Sequence, residues 1–270
     1  MMRIALLLVA GFLAASRSAP AEQRMISIGD RRIAVYCDGV PKDSPMVVLV
    51  PAGGRPAKDW MPIQPAVSTF TRVCSYDHAN VGESDKAPVR FQSVDEVVND
   101  LHAWLQAADE KGPFILVGHS ISGLYVRRFA TRYPRESAGL VLVDSSHEEQ
   151  VLRLHDLDPQ GPPPDDLSAR LGFYVKPGER LEWRTTLPLI VLGAGKPKRR
   201  RARDGSNSQT NRMTEGQFQA WDRIWRDFQH DLAKRSPHGE FRAAENSGHW
   251  IQNDEPELVI QAIRDVSRLR

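Results

Sequence analysis

The ten residues Phe114-Ile-Leu-Val-Gly-His-Ser-Ile-Ser-Gly123 constrain this chain more than any other stretch. Phe114 to Val117 is an unbroken apolar run, as a strand buried on both faces requires. Gly118-His119-Ser120 follows, and Ile121 to Arg132 reads as a helix with Leu124, Val126, Phe129 and Ala130 on its inner side. A strand that turns sharply into a helix at a serine pushes that hydroxyl out at the end of the sheet. The helix start then aims unpaired N–H groups at any oxyanion nearby. Ser120 is therefore the candidate nucleophile, with Gly118 and a small residue at 122 expected where strand and helix come close. The same turn also suits a serine that only caps a helix.

A chain of 270 residues accommodates one α/β domain and a modest insertion. Its 36 basic and 34 acidic residues leave a net charge of +2, which gives no reason to expect a nucleic acid partner. At the N-terminus, Arg3 precedes an apolar run from Ile4 to Ala15, and Ala19-Pro20-Ala21 offers a small-residue cleavage site. We expect residues 1–21 to be a signal peptide, with a mature domain over 22–270. The exported protein would be periplasmic or extracellular, with no stable membrane insertion after cleavage.

Val-Gly-His-Ser-Ile-Ser-Gly resembles the nucleophile elbow of the α/β-hydrolase superfamily, written G-x-S-x-G. Ser122 departs from it at the second glycine, with Gly123 one place later. The resemblance implies a mostly parallel eight-stranded sheet flanked by helices, with a small cap insertion. It runs from about residue 25 to the C-terminus. Pro51-Ala-Gly-Gly54 stands where the family often has His-Gly-x, which makes the main-chain N–H of Gly53 and that of Ile121 the expected oxyanion donors. A plain glycine turn is the other reading of Gly53. Tyr76-Asp-His-Ala-Asn-Val-Gly-Glu-Ser84 resembles a family loop in which His78 and Asn80 replace arginine and glycine, and His78 reads as a packing or hydrogen-bonding residue. In the family the second and fourth strands are neighbours. That would put Cys37 and Cys74 side by side and, in an exported chain, favours a disulfide.

Helix and strand signals alternate along the chain. Ser93-Val-Asp-Glu96 is a capping box; it opens a helix that Gly112-Pro113 is expected to close. Gly139 to Asp144 is a buried strand, and residues 145 to about 187 change character, with Gly161-Pro-Pro-Pro164 among them. We assign 145–187 to the cap, which would shape the substrate pocket. The basic run Lys196 to Arg203 reads as a solvated loop rather than an anion site. Phe218, Trp221, Trp225, Phe228 and Leu232 recur at helical spacing and read as core.

A Gly-His pair after the last strand is the family's position for the catalytic histidine, here His249. The acid is harder to place. In the commonest family arrangement it follows the strand 187–192, but Gly193-Ala-Gly-Lys196-Pro has no carboxylate, and the first acid beyond it is Asp204. Asp144 ends the preceding strand on a rigid edge, so Asp144 is the first choice and Asp204 the alternative. The resemblance implies acyl transfer on a small ester-like substrate through a Ser-His-Asp triad, without metal or organic cofactor. Two other functions stay open from the sequence: a non-catalytic binding protein on the same fold, and a cofactor-free lyase or acyltransferase using the same triad.

Overall fold

A computed structural model of the chain describes residues 21–41, 44–161, 163–164, 183–197 and 213–269. The expected leader lies almost wholly outside these residues, as do Asp204 and most of the basic run.

Eight strands form one sheet in the order β1-β2-β4-β3-β5-β6-β7-β8. They are β1 (Glu22–Ile28), β2 (Arg31–Asp38), β3 (Val47–Val50), β4 (Val73–Tyr76), β5 (Phe114–His119), β6 (Ser137–Val143), β7 (Leu189–Ala194) and β8 (Gly239–Ala244). β1 and β2 pair antiparallel, as do β2 and β4, and every later pairing is parallel. The sheet is eight-stranded and mostly parallel, as the resemblance implies.

The apolar runs of the central strands divide by alternate residues between two cores, because successive side chains of a strand point to opposite faces. Phe114 and Leu116 of β5 face one core, with Val48 and Val50 of β3 and Leu140 and Leu142 of β6. Ile115 and Val117 face the other, with Val47, Leu49, Val141 and Val143. The first core is covered by α2 (Val94–Ala107), α3 (Ser122–Arg132), α4 (Gln150–Leu157) and α5 (Glu215–Ala233). The second is covered by α1 (Gln64–Ser68), α6 (Ile251–Asp254) and α7 (Pro256–Arg268). All these side chains are fully buried, each worth about 1.5–3 kcal/mol of transfer free energy.

Two helices differ from the sequence reading, one in where it ends and one in how much of it is buried. α2 starts at Ser93 with both halves of its capping box present, but it ends at Ala107, well before Gly112-Pro113. Asp109 takes a left-handed φ of 57°, which a short aspartate tolerates. Its N–H reaches Gln106 O at 3.0 Å and Glu110 N–H reaches Leu105 O at 3.0 Å, so the last carbonyls are satisfied without a glycine. α3 is buried nearly all round, Tyr125 and Arg127 included, rather than along one stripe. The extra cover comes from the segment after β6, where Glu148 holds Arg127 at 2.9 Å and the Ser146 carbonyl accepts from it at 3.2 Å.

Candidate active site

The site is built where β5, β6 and β8 end. Gly118 and Ser120 set the first corner. A Cβ at Gly118 would lie 2.5 Å from Ser122 O, so the strand and the first turn of α3 touch backbone to backbone. Ser120 itself takes φ 57°, a left-handed conformation unusual for a residue with a side chain and characteristic of the strand–serine–helix elbow. Its N–H is fixed on Val143 O at 3.0 Å, and its carbonyl accepts from Gly123 N–H at 3.1 Å and Ser146 N–H at 2.9 Å. The second tight position is Gly123 rather than 122. A Cβ at Gly123 would fall 1.8 Å from Ser145 Oγ. The departure at Ser122 is thus no obstacle to the turn.

Asp144 follows β6 with φ 40°, and its side chain is fully buried. Its Oδ2 accepts from His249 Nδ1 at 2.6 Å. Its Oδ1 accepts from Trp225 Nε1 at 2.9 Å and from Ala194 N–H at 3.2 Å. Three donors on one buried carboxylate hold it in a single orientation. His249 lies in the loop between β8 and α6 with its side chain 32% exposed, so one end of the imidazole meets the buried acid and the other lies toward solvent.

His249 is also held by its main chain. His119, beside Ser120, donates from Nε2 to the His249 carbonyl at 2.8 Å. Gln252 of α6 donates to His119 Nδ1 at 3.2 Å, which fixes the His119 tautomer. Burial first, and the nearby His249 second, push the His119 pKa down to about 3, so its ring stays neutral. The His119 and His249 ring centres are 4.7 Å apart. The elbow and the histidine loop are therefore stitched together by residues on either side of the two candidate reacting groups.

Pro51-Ala-Gly-Gly54 leaves β3 beside α3. Arg55 N–H bonds Ala52 O at 3.0 Å, and Gly54 takes a φ of 68°, which closes a tight turn. A Cβ on Gly53 would approach Ile121 Cγ2 to 3.0 Å, so the loop abuts the residue that caps α3. His78 Nε2 donates to Pro51 O at 2.9 Å, the hydrogen-bonding part expected of it.

Residues 47–262, well over half of the chain, match the model of the alpha/beta hydrolase family. The chain belongs to the alpha/beta hydrolase family. It is 24% identical over 237 residues to the uncharacterized protein YqjL of Bacillus subtilis, covering 83% of this chain and 84% of YqjL. It is 26% identical over 127 residues to an AB hydrolase superfamily protein of Gibberella zeae, which covers 43% of this chain and 39% of that protein. The match to the uncharacterized protein C23C11.06c of Schizosaccharomyces pombe, 29% identical over 154 residues, covers 47% of this chain and only 29% of that one. Among solved structures, a lipase candidate from Acinetobacter baumannii AYE superposes with a TM-score of 0.66 at 18% identity over 93% of each chain. A thermophilic esterase from Thermogutta terrifontis gives a TM-score of 0.61 at 18% identity, over 92% of this chain and 98% of its own. At these identities the structures show a shared fold.

Several residues that shape the candidate site carry no sequence signal. Trp225 reads as one member of an aromatic stripe, and only packing shows its indole N–H on Asp144. Gln229, one turn later, bonds the main chain of Ser145 through both ends of its amide, at 3.0 and 2.8 Å. Gln252 and His119 meet across 133 residues of sequence. Ser145, Ser146 and His147, assigned by sequence to the start of the cap, are buried in the body of the protein. Residues 165–182 of that segment lie outside the described residues. The one group of metal-ligating type within reach among the described residues, Cys37, Cys74 and Glu110, includes two sulfurs joined as a disulfide.

Proposed function

We propose that this hydrolase is an exported serine esterase acting on a small ester-like substrate. Ser120 is the nucleophile, His249 the general base and Asp144 the acid that orients it, with the N–H groups of Gly53 and Ile121 as oxyanion donors. The observation that carries the reading is the 2.6 Å bond from His249 Nδ1 to a fully buried Asp144, one loop away from a serine held at left-handed φ. With Nδ1 donating to the acid, Nε2 is the nitrogen that can accept a proton. It takes the proton of Ser120 Oγ as Oγ bonds the substrate carbonyl carbon, and the carbonyl oxygen becomes an oxyanion. Collapse expels the alcohol, which receives the proton from His249 Nε2. A water then repeats the sequence on the acyl-enzyme and releases the acid. Residues 1–21 would direct export, and the segment that follows the buried Ser145, Ser146 and His147, to about residue 187, would carry the cap over the acyl pocket.

The test is reaction with a fluorophosphonate probe followed by peptide mapping, alongside a screen of p-nitrophenyl esters of increasing chain length. We expect one labelled residue, Ser120, and a clear chain-length optimum. Ser120→Ala and His249→Ala should each abolish turnover while leaving the fold intact, and their losses should not add, because triad members act as a unit. Hydrolysis that persists in Ser120→Ala, or an unlabelled wild type, overturns the reading.

A further inference from the structure

Three of the places where this chain departs from the pattern of its family meet at one atom. Ser122 stands at the elbow's second glycine, His78 at the arginine of the loop after β4, and Pro51 at the histidine of the loop after β3. The Ser122 hydroxyl donates to the Pro51 carbonyl oxygen, and His78 Nε2 donates to that same oxygen. A carbonyl oxygen has two lone pairs, and both are engaged. Ser122 is 0% exposed and His78 7%, with Pro51 buried between them, so water offers no ready substitute for either donor. His78 is wedged edge-on between Tyr76 and Tyr125, with ring centres 4.9 and 5.7 Å away. Burial lowers its pKa, which keeps the ring neutral with one N–H to give.

What this anchoring controls lies two residues on. The pyrrolidine ring fixes φ at Pro51, so holding its carbonyl removes most of the remaining freedom there. Ala52 O is turned toward Arg55 N–H. In a trans peptide the C=O and the following N–H point to opposite sides, and so the Gly53 N–H is directed away from that turn. We propose that Ser122 and His78 are positioning residues: together they clamp the Pro51 carbonyl and thereby set the Gly53 N–H against that of Ile121 for the developing oxyanion. This deepens the esterase reading and rests on it. Ser122 belongs to the first turn of α3, immediately after Ile121, so one short segment both supplies a donor and positions its partner.

An oxyanion donor that drifts should weaken transition-state binding and leave substrate binding almost unchanged. The clamp is therefore tested by kcat, KM and burst-phase acylation with p-nitrophenyl acetate, and by inhibition with phenylboronic acid, whose serine adduct is tetrahedral. Ser122→Ala should slow acylation by about tenfold or more, short of the ~10²–10³-fold cost of removing an oxyanion donor outright. KM should stay within about twofold, and boronic acid affinity should fall by the same factor as the rate. Unchanged acylation, or a raised KM with unchanged kcat, overturns the clamp. If circular dichroism shows that Ser122→Ala does not fold, the pair His78→Gln and His78→Phe decides on the same readouts. Glutamine retains a nitrogen donor and phenylalanine does not, so equal losses in the two overturn the proposal. A wild type that the fluorophosphonate leaves unlabelled removes the esterase reading and the clamp together. A wild type labelled at Ser120, with variants at wild-type rates, removes only the clamp.

Discussion

Asp144 uses both carboxylate oxygens, and the candidate catalytic histidine shares it with Trp225 and Ala194. Trp225 and Ala194 hold the other oxygen. That division makes separate predictions. Asp144→Asn replaces an acceptor by an amide that favours the wrong imidazole tautomer, and turnover should fall by about 10⁴-fold with Ser120 still present. Trp225→Phe keeps most of the ring packing and removes one N–H. A hydrogen bond to a charged group is worth about 1.5–3 kcal/mol, so loss of orientation should lower kcat by at least about tenfold with little change in KM. Steady-state kinetics on both variants check this. A Trp225→Phe enzyme with wild-type kcat would show that the indole N–H is not needed to hold the acid.

At the scale of elements, α5 and the β2–β4 pair act as fasteners at opposite ends of the sheet. α5 reaches the loop after β6 through Trp225 and Gln229. Near the end of α5 Asp231 bonds His147 at 3.1 Å, and just past the helix Arg235 bonds Glu148 at 3.0 Å. Glu148 also pairs with the buried Arg127 of α3, so β6, α3 and α5 share one polar seam. Across the sheet, β2 and β4 set Cys37 opposite Cys74, with Cα atoms 4.2 Å apart and the sulfurs joined across 37 residues of sequence. Closing a loop of that length typically stabilises by about 2–4 kcal/mol. Cys37→Ser with Cys74→Ser should lose that amount in urea unfolding, and a reductant should destabilise the parent but not the double variant. Intact-mass measurement after alkylation of denatured, exported protein should find no free thiol; two alkylated cysteines would refute the bridge.

For the whole molecule, acid should be the sensitive side. Burial lowers the pKa of His78, His119 and His147, that of His119 to about 3. Between the unfolded value near 6.5 and the folded value, the unfolded chain binds a proton that the native one does not. Stability therefore rises with pH across that window and falls as pH drops from about 6.5 toward 3. Each such histidine contributes at most about 1.4 kcal/mol per pH unit. His119→Gln keeps a nitrogen donor for the His249 carbonyl and removes one titrating group. Its unfolding free energy, measured in denaturant from pH 7 to 4, should show a shallower slope than the parent by close to one proton. Parallel slopes would mean that His119 becomes protonated without unfolding.

Sequence alone carried the layer order a long way. Apolar runs separated by amphipathic helices leave few ways to bury both faces of a strand, and the elbow at Gly118-His-Ser120 fits only the end of such a strand. His249 was legible as a candidate because a strand leads to it and a helix follows. The choice between Asp144 and Asp204 was not legible in the same way, since it depends on which acid the sheet edge carries to the histidine loop. The carboxylate that accepts from His249 Nδ1 is that of Asp144, and Asp204 lies outside the described residues. Trp225, Gln252, His119 and the meeting of Ser122 with His78 at Pro51 left no pattern to find. Local periodicity reports which side of an element is buried. It does not report which buried N–H finds which oxygen across 81, 133 or 71 residues of chain, because packing fixes those partners only once the layers have closed.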